Sequence, residues 1–546
     1  MSEASDRAHG PVPLVLGAAG HRNLPDEDRT ALEATVRNAF AEMRRQYPAT
    51  PMIVLSSLAE GADRLVAHMA LDADFALIVP MPFEQQEYER DFSSSDSVDE
   101  FRALLARAET SFAVPLRPES TLGERDRHDA YARCTAYIVR NCVELIALWD
   151  GRTEARPGGT ADAVSFQLEG IPAPYVPESD DLDPARTGPV LHVMTRRSGE
   201  GAFDSGEPVA EMRTLYPPLL KEDEARKAFE KLKSNLDRFN AEAARAHDGE
   251  RWTLESVRDR LEVIARLYQG RVTASLTTIF GLVFLSAVGL NFYLFLPHHP
   301  LPLLVGYLAI TAVAYGVFRI STKADWQDRY QDARALSEAL RVVYFWRLAG
   351  IHDSVADLIV RAEHAEIDWL PVAVRAVAER PGTDYPSGSS VPADTLDVVR
   401  REWIDDQCRY FTVIAGNSER AHQRVATRTA TIGVVFSVGI SLAIKLLQQV
   451  GIVNGVIAFA SSLFAMAAAM VHGYADKRGW SDHARRYDRM AWIFLRAKDA
   501  LDAPAASASG HRNFRSVLRR LGREAVQENV TWLVQQRTRK ITVPHA

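Results

Sequence analysis

Cysteine is scarce in this chain. There are three in 546 residues, Cys134, Cys142 and Cys408, and no two form a CxxC pair. That count and spacing exclude a disulfide framework and a zinc ribbon and fit a reducing compartment. The first residues, "MSEASDRAHGPVP", lack an apolar core and are not expected to act as a signal peptide. No long basic block stands out and the formal net charge is −7, so a nucleic-acid partner is not expected. Neither a Walker A loop nor a GxGxxG fingerprint is present. His298 and His299 stand together without further ligands, so no metal site and no cofactor is expected.

What is present is ordinary in bulk: 47% of residues are hydrophobic and 25% charged, which argues against global disorder. The length exceeds what one hydrophobic core serves, and two to four domains are expected.

The strongest local signal is four apolar runs, at 272–296, 301–318, 430–447 and 453–471. Each is ~18–25 residues long, enough to cross a hydrocarbon layer of ~30 Å. Soluble helices keep a polar face, so membrane spans are favoured over buried helices of a bundle. The linkers within each pair are short and carry no Lys or Arg, whereas Arg266, Arg271, Arg319, Lys323, Arg424, Arg428, Lys477 and Arg478 flank the outer sides. Two hairpins follow, with both termini and the middle region cytoplasmic. Lys445, inside the third run, either snorkels to the interface or lines a pore.

The hairpins recur at an offset of about 154 residues, and "KADW" at 323–326 parallels "KRGW" at 477–480. Helical stripes flank them. Leu254, Val257, Leu261, Ile264 and Tyr268 form one. Ala333, Leu336, Leu340 and Val343 form a second, and Tyr487, Met490, Phe494 and Ala497 a third. Such a/d-like spacing packs helices within one subunit or joins subunits in a stalk. The organisation expected is a domain at 1–218, a first helix, hairpin and helix unit at 219–380, a linker at 381–395 and a second unit at 396–546.

The N-terminal domain alternates short apolar runs with helical patterns. Strands are expected at 13–20, 51–57, 75–80, 112–116, 143–149 and, as the last, 190–195. The expected fold is an α/β doubly wound, mostly parallel sheet followed by an all-α membrane region. Ligands of such sheets bind outside the carboxyl ends of the strands. Three strand ends there are rich in glycine, serine and acidic residues. Gly17, Gly20, His21 and Arg22 follow the first strand. Ser56, Ser57, Glu60, Gly61 and Asp63 follow the second. Asp150, then Gly158, Gly159 and Thr160, follow the fifth. Glycines admit a phosphate to backbone N–H groups, and a helix N-terminus favours an anion. Arg22 adds a charge-assisted contact, and Asp63, Asp150 or Asp162 would accept from ribose hydroxyls. The pair Gly158–Gly159 alone reads more readily as a turn. His21 either reaches a phosphate or bonds a neighbouring carbonyl. Glu87 and Tyr88, in "PMPFEQQEYERDF", either face the ligand or belong to a solvated first helical turn.

With these stretches in view, the N-terminal ~200 residues resemble the SLOG superfamily. The likeness rests on "GHRNL" (20–24), "SSLAEGADRLVA" (56–67), "VPMPFEQQEYERDF" (79–92) and "LIALWDGR" followed by "GGTADAV" (145–164). The remainder resembles SLATT-type two-helix membrane units through "ARALSEALRVVYFWRLAGI" (333–351) and "WIDDQCRYF" (403–411). Together these resemblances imply a homo-oligomeric effector of the bacterial inner membrane in anti-phage conflict. A Rossmannoid sensor would bind a nucleotide-type ligand, and the membrane part would form a pore or perturb the bilayer. The same likeness admits a membrane-tethered nucleotide N-glycosidase, with Glu60 or Asp162 activating water. Enzymatic relatives carry roughly GGxGTxxE; here the motif runs GGTADAV without the glutamate, which favours binding over cleavage.

Overall fold

The computed structural model describes residues 10–115, 124–153, 157–175, 186–198, 208–219, 221–245, 252–296, 298–360, 369–378, 393–447, 452–502 and 509–538. The expected linker lies outside these residues except at 393–395. The chain divides into two compact units, Met1–Val257 with Ser354–Thr383, and Arg258–Asp353 with Asp384–Ala546.

The first unit is built on a seven-stranded sheet. Its strands are β1 (Leu14–Gly20), β2 (Met52–Leu55), β3 (Ala76–Met81), β4 (Thr110–Ala113), β5 (Glu144–Trp149), β6 (Val190–Met194) and β7 (Met212–Leu215). They lie in the order β4-β3-β2-β1-β5-β6-β7. The first six are parallel, and β7 runs antiparallel to β6. The central strands are continuous apolar runs because helices cover both faces: α1 (Asp26–Gln46), α2 (Ala62–Asp72), α3 (Gln85–Tyr88), α4 (Ser95–Arg107), α5 (Glu124–Asn141) and α6 (Thr160–Glu169). Right-handed crossovers put α1, α2 and α4 on one face and α5 and α6 on the other. The expected last strand at 190–195 is not the last. β7 escapes a search for buried runs because its residues are exposed or half-buried.

Chain direction reverses beside β1. The path runs outward from β1 to β4, then returns to β5 on the other side of β1. This is the switch point where a doubly wound sheet opens a crevice at the carboxyl ends of its strands. At the opposite, amino-terminal ends of β1 and β5 lies α7 (Glu222–Ala244). Asn240 on α7 accepts from the Val12 N–H at 2.9 Å and donates to the Val12 carbonyl at 2.7 Å. Lys233 pairs with Glu144 at the start of β5, 3.3 Å away.

Next come α8 (Leu254–Phe295), α9 (Leu301–Lys323) and α10 (Trp326–Leu348). The short α11 (Val355–Val360) and α12 (Trp369–Ala378) return to the first unit, where Trp369 lies 5.7 Å from the ring of Phe239. From α13 (Ala393–Val399) the chain passes through a π-helical turn (Arg400–Asp405), α14 (Asp406–Arg409) and a second π-helical turn (Tyr410–Ile414). It continues as α15 (Ala415–Leu447), α16 (Ile452–Arg478), α17 (Trp480–Asp502) and α18 (Ser509–Thr538).

Four of these helical stretches are long and apolar enough to cross a membrane, and little of their most apolar windows is buried within the chain. That is the pattern of a multi-pass membrane protein. Hydroxyl and amide groups tie the spans sideways. Thr311 on α9 donates to Ser286 on α8 at 3.1 Å, Asn291 on α8 to Ser462 on α16 at 2.7 Å, and Ser461 on α16 bonds Ser437 and Ser441 on α15. Beyond the apolar runs, the three predicted stripes are all buried within the chain. Gly522 on α18 leaves room for Trp346, whose indole N–H donates to the Leu518 carbonyl at 2.9 Å.

Candidate functional site

The crevice at the β1/β5 switch point gathers most of the strand-end residues. β1 ends at Gly20, where an added Cβ would lie 2.3 Å from that of Ala62 at the start of α2. His21 follows and is buried. Its Nε2 accepts the Asp150 N–H at 3.0 Å, and burial lowers its pKa, which keeps the ring neutral. His21 thereby stitches the end of β1 to the end of β5. Asp150 is buried as well, and its Oδ1 accepts the N–H of Arg152 at 3.1 Å.

The second strand end is folded over the first. Gly61 has φ +81°, and a Cβ there would lie 2.2 Å from the Arg22 carbonyl oxygen and 2.5 Å from that of His21. Only glycine fits both the dihedral and the space. Ser56 is fully buried; its Oγ accepts from the Leu58 N–H and donates to the Asp63 carbonyl. Ser57 donates to the Asp63 carboxylate at 2.9 Å. Burial pushes the Asp63 pKa up to about 6, against the pull of Ser57 and of the Arg22 charge.

Glu60 turns to another task. Its Oε1 accepts the Ser93 N–H at 2.8 Å and the Ser93 hydroxyl at 2.7 Å, just ahead of α4. Burial opposes ionisation of Glu60, but these serine hydrogen bonds outweigh it and lower the pKa. Asp162 is similar: its Oδ2 accepts the Gly158 N–H at 2.8 Å, holding the first turn of α6. Both carboxylates considered for water activation thus serve helix starts.

The glycine loop is shaped by α5. Gly158 has φ +74°, and a Cβ there would lie 2.5 Å from the Ala132 nitrogen and from the Tyr131 carbonyl carbon. Thr135 donates to the Gly158 carbonyl at 2.8 Å. Gly159 caps α6 without a side chain, and Thr160 is its first helical residue. The N–H groups of a first helical turn have no intrahelical acceptor. Those of Thr160 and Ala161 therefore open beside the end of β5, with the helix dipole behind them. Gly17, by contrast, sits inside the fold, where a Cβ would meet Cys142 and Leu145 at 2.9 Å. It is a close-packing glycine and does not join the crevice.

Tyr131 is the residue that sequence reasoning missed. The Arg22 guanidinium carbon lies 5.3 Å from its ring centroid, and Gly158 packs on its backbone. It links the first and third strand ends. Its hydroxyl donates to Asp91, and burial pushes its pKa up to about 12. No spacing in "RDRHDAYARCT" marks it. Glu87 and Asp91 are both held by Arg127. The Tyr88 hydroxyl is fully buried without a hydrogen-bond partner and feels the charges of Arg22 and Asp63.

The crevice therefore offers an exposed cation, Arg22, and a helix N-terminus for an anion, with the buried carboxylates Asp63 and Asp150 behind them. No family model matches the chain, and no curated protein matches it.

Proposed function

We propose that the chain is a membrane effector that responds to a nucleotide-type ligand held at the β1/β5 crevice. One observation carries this reading: a sheet switch point furnished with Arg22, the Gly158–Gly159 loop and the open first turn of α6 shares a chain with four apolar helices. A phosphate would take the α6 N–H groups and Arg22, while Asp63 and Asp150 accept from sugar or base. The ligand would act by binding two states of the chain with different affinity. The four spans carry few ionisable groups, so a pore would be lined by several copies, and a homo-oligomer in a bacterial inner membrane with cytoplasmic termini is part of the reading. Purified full-length protein in liposomes should leak when the matching member of a nucleotide panel is added, and Arg22→Ala should abolish the response. Binding without leakage, from correctly inserted protein, would sink the effector half.

A second reading draws on Asp63. With a pKa near 6 it is poised to exchange a proton near neutrality. Hydrolysis of an N-glycosidic bond, with water adding to the anomeric carbon and Asp63 giving its proton to the departing base, would then release free base, and Asp63→Asn would stop it. Recovery of the ligand intact would exclude this.

A further inference from the structure

The second unit holds a cavity of about 440 Å³ between α8, α10, the two π-helical turns, α17 and α18. That volume lies in the range of small-molecule sites. Its wall carries aromatic rings and guanidinium groups, with carboxylates in equal number to the guanidinium groups. Trp532 is 2% exposed, and its ring centroid lies 4.7 Å from the Arg334 guanidinium and 5.7 Å from that of Arg486. Arg486 is neutralised by Glu528, and Arg341 by Glu262 and Glu338, both at 2.9 Å. Arg334 differs. Its Nη1 donates to the Tyr330 hydroxyl at 2.9 Å, and among the described residues it has no ion pair.

Two further features point to an occupant. Ser337 Oγ and Trp532 Nε1, both in lining residues, are buried without hydrogen-bond partners. Each such orphan is destabilising, a cost that ligand atoms would relieve. The chain also breaks its α-helical pitch twice beside the cavity, and the wall residues Trp403, Tyr410 and Phe411 sit on those π-helical turns. π-turns inside helices concentrate at functional sites.

We propose that this cavity is a second ligand site, for a small organic anion carrying a flat ring, in the size class of a nucleoside monophosphate. The anionic group sits against Arg334 and Ser337. The ring sits among Trp403, Tyr410 and Tyr487. The wall draws on α8 itself and on segments that adjoin the other apolar runs in the chain. Gln269 on α8 lies three residues before the first apolar run, α10 follows α9, the π-helical turn at Tyr410–Ile414 precedes α15, and α17 follows α16. An occupant here would fix how those segments pack. This site stands independently of the sheet crevice.

The test is equilibrium dialysis of the full-length protein in nanodiscs with labelled AMP, GMP, CMP and UMP. The Arg22→Ala/Gly159→Asp double variant silences the sheet crevice. One saturable site per chain should remain in it for at least one of the four. Arg334→Gln should weaken that site about 10- to 100-fold, with Arg334→Lys intermediate. Ser337→Ala, which removes a hydroxyl without a protein partner and so leaves the fold intact, should weaken it about 3- to 10-fold. Inorganic phosphate and the free nucleoside should each bind far more weakly. Absence of saturable binding in the double variant, or binding indifferent to both Arg334→Gln and Ser337→Ala, overturns the proposal. Failure of the sheet crevice would instead show as equal binding by the wild type and the double variant.

Discussion

Two glycines of the sheet unit form a matched pair that tests how tightly the crevice is built. Gly61 has φ +81° with ψ −117°, outside even the left-handed helical region, and Gly151 has φ +84°, so alanine is strained at both. They differ in space: a Cβ at Gly61 would lie 2.2 and 2.5 Å from two backbone carbonyl oxygens, whereas at Gly151 nothing lies within 4 Å. Gly151→Ala should cost the left-handed strain alone, about 1–2 kcal/mol. Gly61→Ala adds an overlap that no side-chain rotation relieves, about 1–3 kcal/mol more. Hydrogen–deuterium exchange of β1 and β5 amides in the full chain reads both. At about 1.4 kcal/mol per factor of ten, Gly151→Ala should speed exchange roughly 5- to 30-fold, and Gly61→Ala by a further factor of roughly 5 to 150. Gly61→Ala should also loosen ligand binding, because the carbonyls it displaces belong to His21 and Arg22. Equal effects of the two substitutions would refute the close crossing of the strand ends.

Three other outcomes are expected. Because the Asp63 pKa rises from 3.8 to about 6 on folding, the folded state binds the extra proton between those values. This contribution, on the order of 3 kcal/mol, is complete below about pH 4 and lost as pH rises through about 6. Asp63→Asn should flatten that part of the stability–pH curve, and an unchanged curve would contradict it. Lys233→Met leaves Glu144, 2% exposed, as an uncompensated buried charge. It should destabilise the sheet unit by about 3–5 kcal/mol in urea titration, with much of the loss recovered in Lys233→Met/Glu144→Leu. Asn291→Leu removes the amide that bonds Ser462 and should weaken association of the first and fourth spans by about 0.6–2 kcal/mol in a steric-trapping assay. No change there would mean that packing alone holds those spans.

Much of the fold was legible because its signals are local. β1, β2, β3 and β5 are short apolar runs ending in glycine, serine, proline or acidic residues, and the Leu254 to Tyr268 stripe repeats at helical spacing. β7 was not legible, since an exposed antiparallel edge strand buries no run. The site was partly legible. Glycines that need positive φ, Gly61 and Gly158, stand out by composition. What they pack against does not: Gly61 meets the His21 and Arg22 carbonyls, and Gly158 meets Tyr131 on α5. The roles of Glu60 and Asp162 were also hidden: which backbone N–H a carboxylate accepts depends on how the next helix starts.

The first span is part of a single 42-residue helix, α8, with no proline and no π-turn. At ~1.5 Å per residue it is ~60 Å long, about twice the hydrocarbon thickness. Such a rod works as a lever. A tilt of about 5° imposed where Glu262 and Gln269 meet the cavity would sweep its far tip by about 4 Å. The third span has no such stiffness on its approach, because two π-helical turns precede it. One hairpin is thus continuous with a bar, and the other is reached through two breaks in helical pitch. The same stroke at the cavity would therefore reach the two halves of the membrane region unequally.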